Sequence, residues 1–114
     1  DANVLAEGMK YYSARQYAKA AESLSNQNPA SSLKNDRDFY LSLSYLSLGQ
    51  TQTAIDYLEK LDITANKYDQ QVNWYLALAY LKAGKKAEAI IQLREIGEQE
   101  YQYAAAGKIL DVLE

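Results

Sequence analysis

Apolar residues recur at helical spacing along the whole chain, and a short polar turn separates each apolar run from the next. The clearest stretch is Tyr75–Leu93, YLALAYLKAGKKAEAIIQL. It predicts a helix that is apolar on nearly every side, a glycine turn, and then an amphipathic helix. The same pattern predicts about seven helices, over residues 2–13, 17–27, 38–48, 53–61, 68–83, 86–96 and 100–113. The fold class is therefore all-α.

Turn residues mark the predicted helix ends. Gly49 and Gly84 follow apolar helices and are expected to adopt the left-handed conformation that stops a helix, and Gly97 is expected to close the sixth helix. The turn between the first two helices is Ala14–Gln16. Together these residues give short connections between paired helices.

The polar segment 26–35 carries Pro29, the single proline, and is predicted to be irregular. Asp36 then suits an N-cap or a first-turn acid of the third helix, because negative charge is favourable beside unpaired N–H groups. Thr51 is a candidate cap for the fourth helix, and residues 62–65 are expected to link it to the fifth.

The chain matches itself at a regular offset. The apolar pattern of Tyr75–Leu93 recurs 35 residues earlier, over Tyr40–Leu58. A further shift of 34 residues relates Tyr45, Ala54 and Leu58 to Tyr11, Ala20 and Leu24. A helix-turn-helix unit repeated at this period is typical of a helical solenoid, whose units bury their apolar faces by stacking.

Small residues at matching places predict close helix contacts. Ala20, Ala54 and Ala89 begin the buried stripe of each second helix, where a larger side chain would hold two backbones apart. Gly8 costs about 1 kcal/mol relative to Ala inside a helix, so its presence indicates a neighbouring helix at close range. The 11 tyrosines suit the many half-buried positions of a thin repeat stack.

These positions resemble the tetratricopeptide repeat, a 34-residue helix-turn-helix unit. Gly8, Tyr11, Ala20 and Leu24 match its pattern in the first unit; Tyr45, Ala54 and Leu58 match it in the second; and Ala77, Tyr80, Ala89 and Leu93 match it in the third. The resemblance implies a right-handed superhelix with repeats at about 2–30, 36–65 and 70–97, and a capping helix at about 100–113. The whole chain, residues 1–114, would form this single domain.

The resemblance also implies where a partner would bind, because the first helix of each repeat lines a concave groove in this family. The residues placed there are Leu5, Met9 and Tyr12 in the first repeat, Phe39, Tyr40, Leu43 and Leu46 in the second, and Trp74, Leu78, Leu81 and Lys82 in the third. Such an apolar groove suits an apolar helix or an extended peptide. Family members that clamp a carboxylate place Lys and Asn where Leu5 and Met9 stand, so this mode is not expected.

The expected role is therefore that of an adaptor or scaffold module for a protein or peptide partner. Two alternatives remain open. A second copy of the chain could cover the apolar groove, which would make it a homodimer interface. Alternatively, Trp74, Tyr40 and Tyr12 could stack against a sugar ring or another flat ligand.

Composition argues against several other classes. The chain has no histidine and no cysteine, which removes the commonest general base and the commonest soft metal ligands. Its net charge is −3 and its 12 basic residues are scattered, so nucleic-acid binding is not expected. No apolar run is long enough to insert into a membrane. No phosphate loop or nucleophile motif appears, and we expect neither enzymatic activity nor a cofactor.

Two clusters of charged residues are interpreted as structural or solvated charges rather than as functional sites. Asp36 and Asp38 are close in sequence, but residues two apart on a helix point away from each other, so they are expected to be helix-end charges. Lys82, Lys85 and Lys86 form a basic corner that is expected to be solvated. The compartment stays unknown. The Asn, Gln and Tyr content and the missing initial Met are compatible with a piece excised from an extracytoplasmic (periplasmic) bacterial protein, and otherwise with a cytoplasmic one.

Overall fold

The structure, a computed structural model, describes residues 2–61 and 68–114. Within these ranges the chain is all-helical, and no strand occurs. A short 3₁₀ turn, Ala2–Leu5, precedes the first α-helix. The α-helices of the described residues are α1 (Ala6–Ser13), α2 (Tyr17–Ser25), α3 (Ser31–Ser47), α4 (Thr51–Glu59), α5 (Asp69–Lys82), α6 (Lys86–Arg94) and α7 (Tyr103–Leu113). The predicted all-α class and the predicted number of helices are confirmed.

Several predicted boundaries were wrong. The third helix begins at Ser31 rather than Asp38, so Asp36 lies inside α3 and is neither its N-cap nor a first-turn acid. Thr51 is the first residue of α4, and its hydroxyl lies 3.5 Å from the carbonyl oxygen of Gly49 instead of capping the helix. Helix α6 ends at Arg94, three residues before Gly97. The predicted linker 62–65 lies outside the described residues.

The helices form two compact units. Unit 1, residues 1–62, contains α1 to α4, and unit 2, residues 63–114, contains α5 to α7. Within unit 1, α1 packs against α2, α2 against α3, and α3 against α4. Within unit 2, α5 packs against α6 and α6 against α7. Within each unit, helices that are neighbours in sequence are therefore neighbours in space, as expected for helical hairpins.

The turn inside each helical hairpin has one repeated backbone geometry. The second residue after the first helix has a positive φ in all three hairpins: +60° at Arg15, +80° at Gly49 and +75° at Gly84. The next backbone N–H then donates to a carbonyl five residues back, from Gln16 to Tyr11 and equivalently from Gln50 to Tyr45 and from Lys85 to Tyr80. These are Schellman turns. Their spacing of 34 and 35 residues repeats the spacing found in the sequence.

Small residues allow the helices of unit 1 to approach closely. Leu5, Ala21, Leu24 and Leu41 form a buried core that joins the 3₁₀ turn to α2 and α3. A Cβ atom built on Gly8 would lie 2.5 Å from Cδ2 of Leu24. Gly8 is therefore required for contact between α1 and α2, which confirms the prediction made from its position.

Helix α3 is buried over most of its second half. Phe39, Leu41, Leu43 and Leu46 are all buried, together with Ser42 and Ser44, which are fully inaccessible. The two serines satisfy their hydroxyl groups within the helix, by donating to the carbonyl oxygens of Phe39 and Tyr40 over 2.6 and 2.8 Å. Because these polar groups are paired, their burial costs little.

Unit 2 has its own core, made of Ala77, Leu93, Ile96 and Ala106. Ile109, Leu110 and Leu113 of α7 pack against it, so α7 covers the core as the predicted capping helix would. Ala54 in unit 1 and Ala89 in unit 2 are fully buried, like Ala20. The small-residue positions predicted from the repeat are thus fully buried, as close helix contacts would require. Among the described residues, no helix is long and apolar enough to cross a membrane.

Candidate partner-binding surfaces

Aromatic rings join the first helices of the two hairpins of unit 1. The ring of Tyr12 near the end of α1 lies 5.1 Å from that of Tyr40 on α3, at an interplanar angle of 69°. Tyr40 makes a similar contact with Phe39 at 5.3 Å, and Tyr12 makes one with Tyr17 at 5.7 Å. Edge-to-face contacts of this kind are favourable. We call Tyr12, Tyr17, Phe39 and Tyr40 the aromatic cluster.

The residues predicted to line the groove differ in exposure within unit 1. Leu5, Phe39, Leu43 and Leu46 are between 3% and 8% exposed. Met9, Tyr12 and Tyr40 are half-buried. Met9 and Tyr40 also pack against the unit 1 core. Side-chain surface for a partner is therefore concentrated on Met9, Tyr12 and Tyr40, while the four buried residues lie in the protein interior.

In unit 2 the predicted residues lie on α5. Trp74, Leu78 and Leu81 are half-buried, and Lys82 is exposed at the end of the helix. Trp74 packs against the unit 2 core, so part of its ring is occupied by contacts within the chain. The spacing of these residues, by three and four positions, places them on one stripe of α5.

The sequence analysis missed an apolar groove between α6 and α7. It has a volume of about 440 Å³ and lies wholly within unit 2. Leu93, Arg94 and Ile96 line it from the α6 side, and Tyr103, Ala104, Ala106, Gly107, Lys108, Leu110 and Asp111 line it from the α7 side. The signal available in the sequence was the spacing of Ala104, Gly107, Lys108 and Asp111, which follow one side of α7.

The family model of the tetratricopeptide repeat matches residues 38–61 and 71–101. The chain belongs to the tetratricopeptide repeat family. The family resemblance inferred from Tyr45, Ala54, Tyr80 and Ala89 is thereby confirmed, and family membership implies a helical solenoid. Searches of curated proteins and of solved structures gave no significant match. Tetratricopeptide repeats generally mediate protein–protein interaction and scaffolding and are typically not catalytic.

The first matched stretch falls in the second predicted repeat, and the second covers most of the third predicted repeat and continues four residues beyond it. The first predicted repeat, at about 2–30, is supported by its Schellman turn, which has the same backbone geometry as the other two. The division of the chain into three repeats and a cap stays a prediction.

Asp38, which was predicted with Asp36 to be a helix-end charge, instead lies inside α3 and is held by an ion pair. The Arg37 guanidinium donates to its carboxylate over 3.0 Å, and the side chains are 17% and 10% exposed. The same guanidinium donates to the carbonyl oxygen of Gln27 over 2.8 Å. Arg37 therefore ties the connection after α2 to α3, and Asp38 neutralises the charge of Arg37, so the pair has a structural role.

In the basic corner, Lys82 and Lys86 are exposed and Lys85 is half-buried.

Tyr45, a signature residue of the second repeat, has a perturbed hydroxyl. Its ring stacks on that of Tyr57 with centroids 5.7 Å apart. Burial raises the pKa of the Tyr45 hydroxyl, the nearby Tyr57 hydroxyl raises it further, and a hydrogen bond with Ser25 opposes both effects. The neutral phenol is therefore the form that the folded repeat favours.

Proposed function

We propose that this tetratricopeptide repeat chain is an adaptor or scaffold module that binds an apolar helix or an extended peptide. The proposed contact surface is the face formed by α1 and α3 in unit 1, with Met9, Tyr12 and Tyr40 as its anchors. In unit 2 the stripe of Trp74, Leu78, Leu81 and Lys82 on α5 is the corresponding surface.

The observation that supports this proposal is the half-buried pair of Tyr12 and Tyr40. Their ring contact fixes both side chains in place before a partner arrives, so little conformational entropy is lost on binding. Tyrosine and methionine are enriched in the cores of protein interfaces. The neighbouring Phe39 is buried and supports the Tyr40 ring from within the protein.

The alternatives expected from the sequence have less support. Self-association through Leu43 would need a residue that is only 7% exposed. Stacking of a flat ligand on Trp74 would compete with the packing of that ring against the unit 2 core. Neither alternative is needed to account for the half-buried tyrosines.

The test uses helical peptides selected on the wild-type chain from a displayed library, with affinities measured by calorimetry. Tyr12→Ala and Tyr40→Ala should each weaken binding about tenfold or more, as truncation of an interface anchor does. Ile91→Ala removes an exposed apolar side chain of α6 that lines none of these surfaces, and it serves as the control. If selected peptides bind the Tyr12 and Tyr40 variants as tightly as the wild type, the α1–α3 face is not the binding surface. Circular dichroism would confirm that each variant is folded.

A further inference from the structure

We infer that the groove between α6 and α7 is a homodimer interface, in which each α7 lies antiparallel to the other in a four-helix arrangement with the two copies of α6. This groove is separate from the α1–α3 face, so the inference does not depend on the proposed partner-binding function. It assigns a role to a surface that the repeat pattern alone did not reveal.

The first support is the shape and chemistry of the groove. Its lining includes Leu93 and Ile96, which belong to the unit 2 core, and Leu110, which packs against that core. A Cβ atom built on Gly107 would meet no atom within 4 Å. The backbone of α7 is therefore accessible along the groove, and a second helix can approach it closely. Tyr103, at the start of α7, adds a ring that is 46% exposed.

The second support is the charge pattern on α7, which selects a second copy as the occupant. Lys108 and Asp111 are both exposed and line the groove one helical turn apart. Neither makes a hydrogen bond or an ion pair with any residue that the structure describes. A two-fold axis perpendicular to α7, placed between these residues, brings Lys108 of each copy to Asp111 of the other. The surface is thus complementary to itself in the antiparallel orientation.

The remaining charged group in the groove does not disturb this pairing. Arg94 of α6 forms an ion pair with Glu114, just after α7, so its guanidinium is already neutralised. A parallel arrangement of the two α7 helices would instead bring like charges together, which is unfavourable. Charge therefore specifies the orientation of the second helix, while the apolar floor supplies the contact area.

The experiment measures the molar mass of the whole chain by sedimentation equilibrium over a hundredfold range of concentration. The wild type should show a reversible monomer–dimer equilibrium. Lys108→Asp and Asp111→Lys should each raise the dimer dissociation constant about tenfold, because each turns two attractive pairs into two repulsive ones. The double variant Lys108→Asp with Asp111→Lys should restore the wild-type constant, since it exchanges the charges and keeps the self-complementarity.

A second variant tests the apolar part of the interface. Gly107→Leu should abolish the dimer, because its side chain would enter the open groove while leaving the core of the folded chain unaltered. Lys86→Glu is the matched control, because Lys86 is exposed and does not line the groove. A wild-type chain that is monomeric throughout would overturn the inference. So would a dimer that Gly107→Leu and the single charge reversals leave unchanged.

Discussion

The two helical glycines, Gly8 and Gly107, should respond in opposite ways to the same substitution. Replacing glycine by alanine inside a helix stabilises it by about 1 kcal/mol, because the backbone of the unfolded chain loses freedom. At Gly107 the added methyl group would meet nothing within 4 Å. Gly107→Ala should therefore increase the free energy of unfolding by about 0.5–1 kcal/mol.

At Gly8 the same methyl group would overlap a buried side chain. It would lie 2.5 Å from Cδ2 and 2.6 Å from Cγ of Leu24, whereas favourable carbon–carbon contacts begin at about 3.5 Å. Leu24 is fully buried between Leu5, Ala21 and Leu41, so it cannot move aside without disturbing the core. Overpacking of this kind costs about 1–3 kcal/mol. The middle of that range, about 2 kcal/mol, exceeds the gain in helix propensity of about 1 kcal/mol, so Gly8→Ala should destabilise by about 1 kcal/mol.

The assay is urea unfolding followed by two signals at low protein concentration, where self-association does not add stability. Circular dichroism reports on the helices of both units, and the fluorescence of Trp74, the single tryptophan, reports on unit 2. The two variants should differ by about 2 kcal/mol. A Gly8→Ala variant that is as stable as the wild type would refute the claim that Gly8 sets the contact between α1 and α2.

Four further substitutions test other features of the fold. Ala54→Leu and Ala89→Leu should each lower the free energy of unfolding by about 1–3 kcal/mol, measured by urea unfolding, because both sites are fully buried; neutral results would contradict the repeat register. Arg15→Gly should raise the free energy of unfolding by about 0.5–1 kcal/mol in the same measurement, because arginine is strained at a φ of +60°. An unchanged urea midpoint would argue against that strain. The folded state raises the pKa of the Tyr45 hydroxyl. The neutral Tyr45 side chain therefore contributes stability below the unfolded-state pKa, and this contribution is lost as the pH rises through the folded-state pKa. Tyr45→Phe should therefore lessen the loss of stability in alkaline thermal melts, and an identical pH profile would count against a raised pKa of the Tyr45 hydroxyl.

The repeat was predictable because its determinants are local and recur. Gly49 and Gly84 mark two of the three hairpin turns in the sequence, and their positive φ angles follow from the lack of a side chain. The buried alanines Ala54 and Ala89 recur at the same spacing, so a comparison of the chain with itself was sufficient to find them.

The start of α3 was not predictable in the same way. Residues between Ser31 and Asp38 are mostly polar, and Leu33 is the single large apolar residue among them. Leu33 packs against the unit 1 core together with Tyr40, seven residues later, so one stripe continues across the predicted boundary. Polar residues on the remaining faces of this helical segment concealed that stripe.

The candidate surfaces were only partly predictable, because a periodic pattern gives the face of a helix but not the depth of each side chain. Phe39 and Tyr40 are adjacent in sequence, yet Phe39 is buried and Tyr40 is half-exposed. The groove beside Gly107 depends on which neighbouring atoms are absent, and the spacing of Ala104, Gly107 and Lys108 gives one side of α7 without showing that this side is left open.

The turn at Arg15 bears on how such arrays diverge over time. Its backbone has the geometry of the turns at Gly49 and Gly84, although arginine replaces glycine. The hydrogen bond from Gln16 to Tyr11 holds that geometry, so the connection can lose its most recognisable residue while the hairpin keeps its shape. Repeat units whose sequences differ at the residue typical of the turn can therefore share one backbone geometry, and hydrogen-bond patterns can identify such units where a comparison of residues would miss them.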